Sequence, residues 1–561
     1  MMWRYRTALF LLVGGFFLII LRLFYWQVVR AEELSSWGKS QYATQLKIFP
    51  KRGEIRTSDG YPIATNNVSY LVFINPKEVG EKEKIKTTTI LSSFLQIDSA
   101  SVSGALKKDL YWVPLRNNIS PELKEKIELL KLTGVGFEEQ SIRFYPEASL
   151  AAHLIGFVGK DEAGDNKGYF GVEGYYDRQL RGKAGNAVFI KDAFGRPILA
   201  KADDKESQID GRSLILSIDR VIQFIAENKL KKGLVKYGAV GGAVVIMNPK
   251  TGNILAIASF PSFDPSSYQE FDSTSYKNPA VSNLFEPGST FKSLIMSAGI
   301  DAKVVKPDTK CPICAGPVAI GEYQVRTWNN EYHKDVTMTD VIKNSDNIGM
   351  VYVSQELGIE KMLEYFEKFG IGSLTGIDLQ GETVAELKPR NQWYPIDIAT
   401  ASFGQGISIT PIMLLTAFSS IANEGKRMEP HVVAKIETAK GEIIEIKPKM
   451  INQPISSETA KVMKEILVKA ASQGEAKFAS VKGYRIAGKT GTAQIPIAGH
   501  YDPNKTIASF IGFAPADDPK FAMLVVVDKP TSSIYGSETA APIFFDIASD
   551  LFTYYNIAPT E

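Results

Sequence analysis

The chain has 561 residues, of which 44% are hydrophobic and 22% are charged, and its formal net charge is +2. This length predicts two or three folded units, and the composition is that of a globular protein without collagen-like or disordered bias. The balanced charge, with no basic run interleaved with aromatic residues, excludes the electrostatic pattern of a nucleic-acid-binding protein.

The N-terminal segment is long and apolar enough to cross a membrane. Ala8–Leu21 contains no charged residue, and after Arg22 the apolar run resumes as Leu23–Val29. Together these stretches reach the roughly 20 residues that span a bilayer. Arg22 can extend its side chain toward the headgroups, where the neighbouring Tyr25 and Trp26 are also favoured.

Charges on the two sides of this segment predict its orientation. Basic residues precede it and acidic residues follow it: Arg4 and Arg6, then Glu32 and Glu33. Because positive residues favour the cytoplasmic side, we predict a cytoplasmic tail over residues 1–6, an uncleaved transmembrane helix over 7–29, and the remaining chain outside. A cleaved signal peptide ending near Ala31 is the alternative.

Two regions of different pattern follow the membrane segment. Residues 40–215 contain short alternating apolar runs, such as Tyr70–Ile74, and a helix that begins at Ser120, but no catalytic motif. From residue 216 to 561 the predicted elements are a helix over Arg220–Leu234, a hairpin over Gly241–Ser259, several helices, and late strands. These late strands are Arg485–Ile495, Thr506–Ala514 and Phe521–Val527. This order predicts an α+β domain with a mostly antiparallel sheet.

The two cysteines, Cys311 and Cys314, form one CxxC motif. A closed zinc site needs about four ligands, and the four histidines form no HExxH pair, so we predict no metal site. In an oxidising compartment the pair favours a local disulfide. Two small core residues are the alternative.

Three short motifs occur in an order that carries more information than any one of them. Ser289-x-x-Lys292 follows a Pro-Gly break and opens a predicted helix, Ser345-Asp346-Asn347 lies further along, and Lys489-Thr490-Gly491-Thr492 lies in a late strand. A second Ser-x-x-Lys at Ser36 and a second Lys-Thr-Gly at Lys250 lack this context. The ordered trio is typical of penicillin-recognising serine enzymes.

On these motifs the chain resembles a class B penicillin-binding protein, a monofunctional peptidoglycan DD-transpeptidase. The resemblance extends over nearly everything after the membrane segment. It covers KRGEIRTSDGYPIA (51–64), RFYPEASLAAHLIGFVG (143–159), GVEGYYDRQLRGKAG (171–185), NPKTGNILAIASFPSFDP (248–265), EPGSTFK (286–292) and FGQGISITP (403–411). The RTSDG stretch departs from the more usual Asp-Arg-x-Gly, which we expect to alter the pedestal and not the chemistry. The resemblance implies a pedestal or dimerisation-type domain over 40–215 and a transpeptidase domain over 216–561, with helices on both faces of an antiparallel sheet.

The resemblance also implies catalytic roles. Ser289 would attack the carbonyl of a D-Ala-D-Ala peptide, and Lys292 would accept its proton if burial and the nearby cation Lys489 keep the lysine neutral. Ser345, assisted by Lys489, would relay a proton to the leaving D-alanine, and Asn347 would hold a peptide amide. Asp346 is expected to be structural or solvent-facing.

The strand motif is expected to bind the substrate. Thr490 and Thr492 lie two residues apart, so their hydroxyls would share one side of the strand and suit a terminal carboxylate. Gly491 would let a peptide backbone approach closely. The resemblance implies an oxyanion hole from the backbone N–H groups of Ser289 and Thr492. Trp328 and Tyr501 are candidates for lining the cleft.

The expected partners follow from the same resemblance. They are peptidoglycan stem peptides as donors, β-lactam antibiotics, and a membrane glycan-strand polymerase of the SEDS type within a wall-synthesis complex, with no cofactor and no nucleic acid. SDNIG and FGQGISITP resemble the division or spore-wall branch more than the elongation-type transpeptidases, so we predict septal work, with an elongation-type transpeptidase as the alternative. Two further hypotheses are a β-lactam sensor or β-lactamase-like enzyme, with Glu382 or Glu386 as deacylating base, and a non-enzymatic scaffold.

Overall fold

The computed structural model describes residues 2–191, 197–198, 208–497 and 500–559. The chain forms two compact units. The first comprises Met1–Lys51, Val68–Ile142 and Gly182–Gly211, and the second comprises Arg52–Asn67, Arg143–Arg181 and Arg212–Glu561. The border predicted between residues 215 and 216 stays a prediction. By contacts, two segments from before that border belong to the second unit.

The helices and strands of the described residues are numbered in chain order. The α-helices are α1 (Met2–Phe24), α2 (Ala31–Tyr42), α3 (Glu81–Leu95), α4 (Ser99–Leu106), α5 (Pro121–Glu128), α6 (Ala152–Ile155), α7 (Gly171–Tyr175), α8 (Asp177–Arg181), α9 (Arg220–Tyr237), α10 (Pro279–Ser282), α11 (Lys292–Asp301), α12 (Met338–Lys343), α13 (Asn347–Phe369), α14 (Pro395–Ser402), α15 (Pro411–Ala422), α16 (Ser457–Gln473) and α17 (Ala540–Tyr554). The strands are β1 (Ala43–Ile48), β2 (Ile55–Arg56), β3 (Pro62–Ile74), β4 (Val113–Ile119), β5 (Val135–Phe144), β6 (Phe157–Lys160), β7 (Asn166–Tyr169), β8 (Gly185–Lys191), β9 (Pro197–Ile198), β10 (Ser213–Leu216), β11 (Gly241–Met247), β12 (Ile254–Phe260), β13 (Val318–Ile320), β14 (Tyr323–Val325), β15 (Arg427–Met428), β16 (Val433–Glu437), β17 (Ile443–Glu445), β18 (Met450–Asn452), β19 (Ala487–Ile497), β20 (His500–Ala514) and β21 (Phe521–Asp528).

The first unit begins with the apolar helix that the sequence predicts. Helix α1 continues through a π-helical turn, and the resulting span Met2–Val29 has a mean hydropathy of 2.4 with none of its apolar window buried. Because none of the described residues covers these side chains, the segment fits a single membrane anchor by length and composition.

The rest of the first unit is a small α/β layer. Strand β3 pairs with β4 and β5, and helices α3, α4 and α5 cover it through buried residues that include Ile74, Leu91 and Val102. Helix α5 begins where predicted, since the backbone N–H of Leu123 donates to the Ser120 hydroxyl at 3.3 Å. An N-cap of this kind satisfies a donor that has no partner within the helix.

The second unit is built on a five-stranded antiparallel sheet in the order β12-β11-β21-β20-β19. Alternate residues of β11 enter different cores. Val244 and Ile246 pack with helices α9 and α17, whereas Val245 and Met247 pack with α11 and α15. Both faces of the sheet are therefore covered by helices, and the predicted α+β fold is confirmed.

Two local predictions in this unit are also confirmed. Strands β11 and β12 form the predicted hairpin around the turn at 248–253. Cys311 and Cys314 form a disulfide, and both residues are buried.

A buried ionic cluster holds the early segments in the second unit. The carboxylate of Glu173, which is fully buried, accepts hydrogen bonds from Arg52 at 2.7 Å and from Arg143 at 2.6 Å. Arg52 also contacts Asp177 at 2.8 Å. Burial of these charges requires their mutual pairing, so residues from 52–67 and 143–181 must assemble together.

This cluster leads to a stability prediction. Glu173→Gln removes the one charge shared by two buried guanidinium groups, and such a loss destabilises a protein by about 3–5 kcal/mol. We expect a clear fall in the thermal unfolding midpoint of the full chain. Glu162→Gln, at an exposed position in the nearby loop, is the control and should not change the midpoint. Equal midpoints for both variants would contradict the role assigned to the cluster.

Candidate active site

Ser289 lies at the start of a helix, with its side chain partly exposed. Gly288–Thr290 form one 3₁₀ turn, and helix α11 follows from Lys292. The prediction placed the helix start at Ser289 itself, so the regular helix begins three residues later than expected. The tight turn depends on Gly288, whose φ is +55°, a conformation that glycine adopts readily.

Lys292 joins the first motif to the second. Its side chain is fully buried, and its ammonium donates to the carbonyl of Ser345 at 2.6 Å and to Oδ1 of Asn347 at 2.7 Å. The Ser345 hydroxyl lies 3.4 Å from the same nitrogen. The lysine therefore occupies the centre of the site and is not a solvated helix residue.

The second motif is a sharp turn between helices α12 and α13. Ser345 has φ +57°, an uncommon conformation for a residue with a side chain, and such strain often accompanies a functional site. Asp346 caps α13 by accepting from the N–H groups of Ile348 and Gly349, which confirms its structural role. Asn347 also donates to the carbonyl of Arg326 at 3.0 Å, so both ends of its amide are fixed.

The third motif lies in strand β19, directly against the turn that carries Ser289. A Cβ atom on Gly491 would lie 2.8 Å from the Thr290 methyl carbon, so the strand and the turn could not pack this closely with any other residue there. A Cβ on Gly288 would lie 3.2 Å from the Thr492 carbonyl oxygen. Gly491 is therefore needed for the close packing of the strand against the turn that carries Ser289. This requirement is separate from the substrate approach predicted for Gly491.

Lys489 is buried next to a carboxylate that the sequence did not single out. Its ammonium lies 3.7 Å from the Glu475 carboxylate and 2.9 Å from the Thr490 hydroxyl. The Thr490 hydroxyl in turn donates to Glu475. Nothing in the sequence pattern marked Glu475, because it follows the end of helix α16 in a short connection without a recognised motif.

The two threonines of this strand differ in their contacts. Thr490 is buried and already engaged with Lys489 and Glu475. Thr492 is partly exposed, and its hydroxyl oxygen accepts from the Gly536 N–H at 3.0 Å, so its own proton can still be donated to a ligand. Of the two, Thr492 is the better placed to meet a carboxylate.

The electrostatics of the lysine pair favour one neutral amine. Burial lowers the pKa of Lys292, and the positive charge of Lys489 lowers it further, to about 7. Burial also lowers the pKa of Lys489, while the Glu475 carboxylate opposes that change. A lysine that is largely neutral near pH 7 can accept a proton from a serine.

A pH dependence follows from this arrangement. If Lys292 is the base, only its neutral form can act, so the acylation rate should rise with pH through a midpoint near 7. One pH unit below that midpoint about one tenth of Lys292 is neutral, so the acylation rate should be about one tenth of its highest value. Stopped-flow measurement of acylation by a chromogenic β-lactam tests this, and a rate independent of pH through this interval would contradict it.

The structure also shows the surroundings of the two aromatic candidates for the cleft and of the two candidate deacylating bases. The Trp328 ring is exposed, sits 5.8 Å from the Tyr535 ring and directs its N–H to the Asn344 carbonyl at 3.4 Å. The Tyr501 hydroxyl donates to Glu286 at 3.2 Å. Glu382, one possible deacylating base, is occupied by hydrogen bonds from the backbone and hydroxyl of Thr375, and Glu386 is exposed.

The second unit contains a transpeptidase domain of the serine acyltransferase type, and its site brings the three sequence motifs together. The chain belongs to the penicillin-binding proteins: residues 242–549 match the family model "Penicillin binding protein transpeptidase domain", and residues 47–216 match "Penicillin-binding Protein dimerisation domain". Its relatives bear the names of division-type class B members, so it is a class B protein with peptidoglycan DD-transpeptidase relatives.

Three proteins illustrate the similarity. Stage V sporulation protein D of Bacillus subtilis is 37% identical over 99% of this chain and 87% of its own length. Peptidoglycan D,D-transpeptidase FtsI of Buchnera aphidicola is 30% identical over 99% of this chain and 96% of its own. The crystal structure of penicillin binding protein 3 from Mycobacterium tuberculosis with aztreonam has a TM-score of 0.71 at 26% identity, covering 92% of this chain and 98% of that one.

Proposed function

We propose that this protein cross-links peptidoglycan stem peptides as a serine DD-transpeptidase in septal wall synthesis, with the three motifs as its catalytic machinery. The observation that carries the proposal is the position of Lys292. It is fully buried beside the second motif, and its pKa is lowered to about 7 by burial and by Lys489. A surface lysine would be charged at neutral pH and unable to act as a base.

Acylation uses the residues around Lys292. The Ser289 oxygen attacks the carbonyl of the D-Ala-D-Ala bond while its proton moves to Lys292. The tetrahedral oxygen is stabilised by the backbone N–H groups of Ser289 and Thr492. When the peptide C–N bond breaks, Ser345 passes its proton to the leaving D-alanine and takes one from Lys292, whose amine lies 3.4 Å from the Ser345 hydroxyl. Lys489 assists this transfer.

The acyl-enzyme ester then reacts with an amine. The amino group of a neighbouring stem peptide attacks the ester carbonyl and gives a proton to neutral Lys292, the Ser289 oxygen leaves and takes that proton, and an amide cross-link has formed. In the earlier acylation step Asn347 holds the donor amide, and Thr490 and Thr492 hold the carboxylate of the D-alanine that leaves, with Thr492 the more accessible of the two. A β-lactam enters the same first step and leaves Ser289 acylated, which accounts for the binding of these drugs.

The proposal places the reaction on the outer face of the cytoplasmic membrane. Arg4 and Arg6 before the apolar helix, and Glu32 and Glu33 after it, favour an N-terminus inside. Neither matched family model describes a glycan polymerase. We therefore expect a membrane glycan-strand polymerase of the SEDS type to supply the strands within a wall-synthesis complex.

Mass spectrometry after incubation with penicillin tests the chemistry. The proposal requires a covalent adduct of one penicillin on the peptide that contains Ser289. The adduct should be released only slowly, and it should be absent after pre-treatment with another β-lactam. An intact protein mass without an adduct would overturn the proposal. Fast release of the drug would instead indicate a β-lactamase-like enzyme.

The septal role has a separate test. A tagged chain should collect at the division site of growing cells, because a septal transpeptidase must act where the new wall is made. A uniform side-wall signal would contradict the septal role and would leave the transpeptidase chemistry in place.

A further inference from the structure

Glu475 stands apart from the three motifs but contacts one of them directly. Its carboxylate lies 3.7 Å from the ammonium of Lys489. The Thr490 hydroxyl joins the two groups, because it accepts from Lys489 at 2.9 Å and donates to Glu475. The proposed mechanism assigns no task to this carboxylate.

The fold holds Glu475 in this place from two sides. It follows Gly474, which ends helix α16. A Cβ on Gly474 would lie 2.6 Å from the carbonyl oxygen of Lys343, so the end of α16 rests against the end of α12, two residues before Ser345. The Glu475 side chain is 24% exposed and that of Lys489 is 2% exposed. The carboxylate therefore lies at the edge of the site, and the ammonium lies inside it.

Two buried lysines beside each other cannot both keep their charge at low cost. A carboxylate next to one of them decides which keeps the proton. Glu475 contacts Lys489, whereas the hydrogen-bond partners of Lys292 are neutral, the Ser345 carbonyl and the Asn347 amide. The negative charges of Glu475 and Asp346 also raise the pKa of Lys292, but they act on it without a hydrogen bond to its amine. A third group, the Glu475 carboxylate, therefore makes the two lysines differ in how readily they keep a proton.

We propose that Glu475 is a positioning residue that assigns the shared positive charge to Lys489 and so leaves Lys292 as the neutral base. The inference rests on the proposed function, because it concerns the charge state that acylation needs. Glu475 touches neither substrate nor the Ser289 hydroxyl in the proposed reaction; it acts through Lys489 and Thr490.

Other charged groups near the site are engaged elsewhere. Asp346 is committed to capping α13. The Asp340–Lys343 pair of α12 is closed at 2.7 Å, and Lys477, two residues beyond Glu475, is exposed. Helix α16 adds Glu458, Lys461 and Lys469, which are exposed, and Lys464 and Glu465, which pair with Asp517 and Arg485. Glu475 is the acidic group in contact with Lys489.

The test is the pH profile of acylation in Glu475→Gln. Glutamine keeps the size and an acceptor for Thr490 but removes the charge. We expect the wild type to show a rising limb as Lys292 loses its proton and a falling limb as Lys489 loses its own. Without the carboxylate Lys489 releases its proton at lower pH, so the falling limb moves toward acid. An opposite charge this close shifts a titration by roughly one to three pH units. The rising limb is not diagnostic, because Glu475 raises the pKa of Lys292 directly and also holds the charge of Lys489, which lowers it.

Controls separate this role from a structural one. Glu475→Asp keeps the charge and should restore the falling limb toward the wild-type pH. Glu458→Gln, at an exposed position in the first turn of helix α16, should leave the pH profile of acylation unchanged. The full chain in detergent micelles is labelled with a fluorescent penicillin at each pH, and the second-order rate is determined.

Each outcome is decisive. A profile of Glu475→Gln that is lower at all pH values but keeps both limbs in place would overturn the inference and leave a packing role. A falling limb that moves toward alkali would overturn it too. A wild-type chain that takes no penicillin at any pH would instead refute the proposed function, which is a different result from an unshifted variant.

Discussion

Ser289→Ala is expected to abolish covalent labelling by penicillin and transpeptidation alike. The hydroxyl oxygen is the atom that forms the ester, and no neighbouring group in the proposed mechanism can replace it. Loss of a serine nucleophile from a protease reduces the rate by a factor on the order of 10⁶, and we expect a fall of that size here. Labelling with fluorescent penicillin, followed by intact-mass measurement, detects it.

The fold should survive this substitution. Ser289 is only partly buried, and the turn that carries it depends on Gly288 and on packing against Gly491. The thermal unfolding midpoint should therefore match the wild type. Ser36→Ala, in the other Ser-x-x-Lys of the chain, is the matched control and should label normally. Full labelling of Ser289→Ala would show that another residue is the nucleophile.

The same variant separates an enzyme from a scaffold. If the protein only organises an assembly through its anchor and its first unit, Ser289→Ala should support normal growth and division when it replaces the wild type. The transpeptidase proposal requires the opposite, a defect at the septum with the variant present at normal level and correctly located.

The sequence was sufficient for features that depend on neighbouring residues or on regular periods. The two apolar runs that flank the turn in Gly241–Ser259 predicted a hairpin, and Ser120 predicted a helix start; the structure contains both. The order of the three motifs indicated the family, and the structure brings Ser289, Lys292 and the two later motifs to one place. Each motif combines residue types that one reaction requires, so it can be recognised from the sequence alone.

Features that depend on contacts between distant parts of the chain could not be predicted. The carboxylate of Glu475 belongs to the site only because the end of α16 rests against α12 and β19. The left-handed conformation of Ser345 has no local cause such as a glycine. The packing of 52–67 and 143–181 into the second unit depends on ion pairs between residues such as Arg52 and Glu173, which are far apart in sequence.

Lys292, the proposed base, lies where activity and stability make opposite demands. Burying an amine beside a second cation costs free energy, because the charged form loses its hydration. That cost produces the lowered pKa on which the base depends. We therefore expect that substitutions which abolish activity at this site will raise the stability of the protein, or at least not lower it.

Two substitutions of Lys292 test this expectation together with its role as the base. Lys292→Met keeps much of the volume and removes the amine, while Lys292→Arg keeps a positive charge that cannot be lost in proteins. We expect both to reduce acylation by a factor of about 10² to 10⁴, the contribution of a general base. If the lysine served only as a positive charge, the arginine variant would keep most of its activity, and the base assignment would be wrong.

Stability measurements separate the role of Lys292 as a base from a structural role. Lys292→Met relieves the cost of a buried cation but leaves the Ser345 carbonyl and the Asn347 amide without their donor, a loss of roughly 1–3 kcal/mol for each unsatisfied group. These opposing effects should leave the unfolding midpoint close to that of the wild type, so lost acylation cannot be explained by unfolding. Lys306→Met, at an exposed position beyond α11, is the control and should change neither quantity. A large fall in the midpoint of Lys292→Met would mean that the amine chiefly supports the fold, since its hydrogen bonds would then outweigh the cost of its burial.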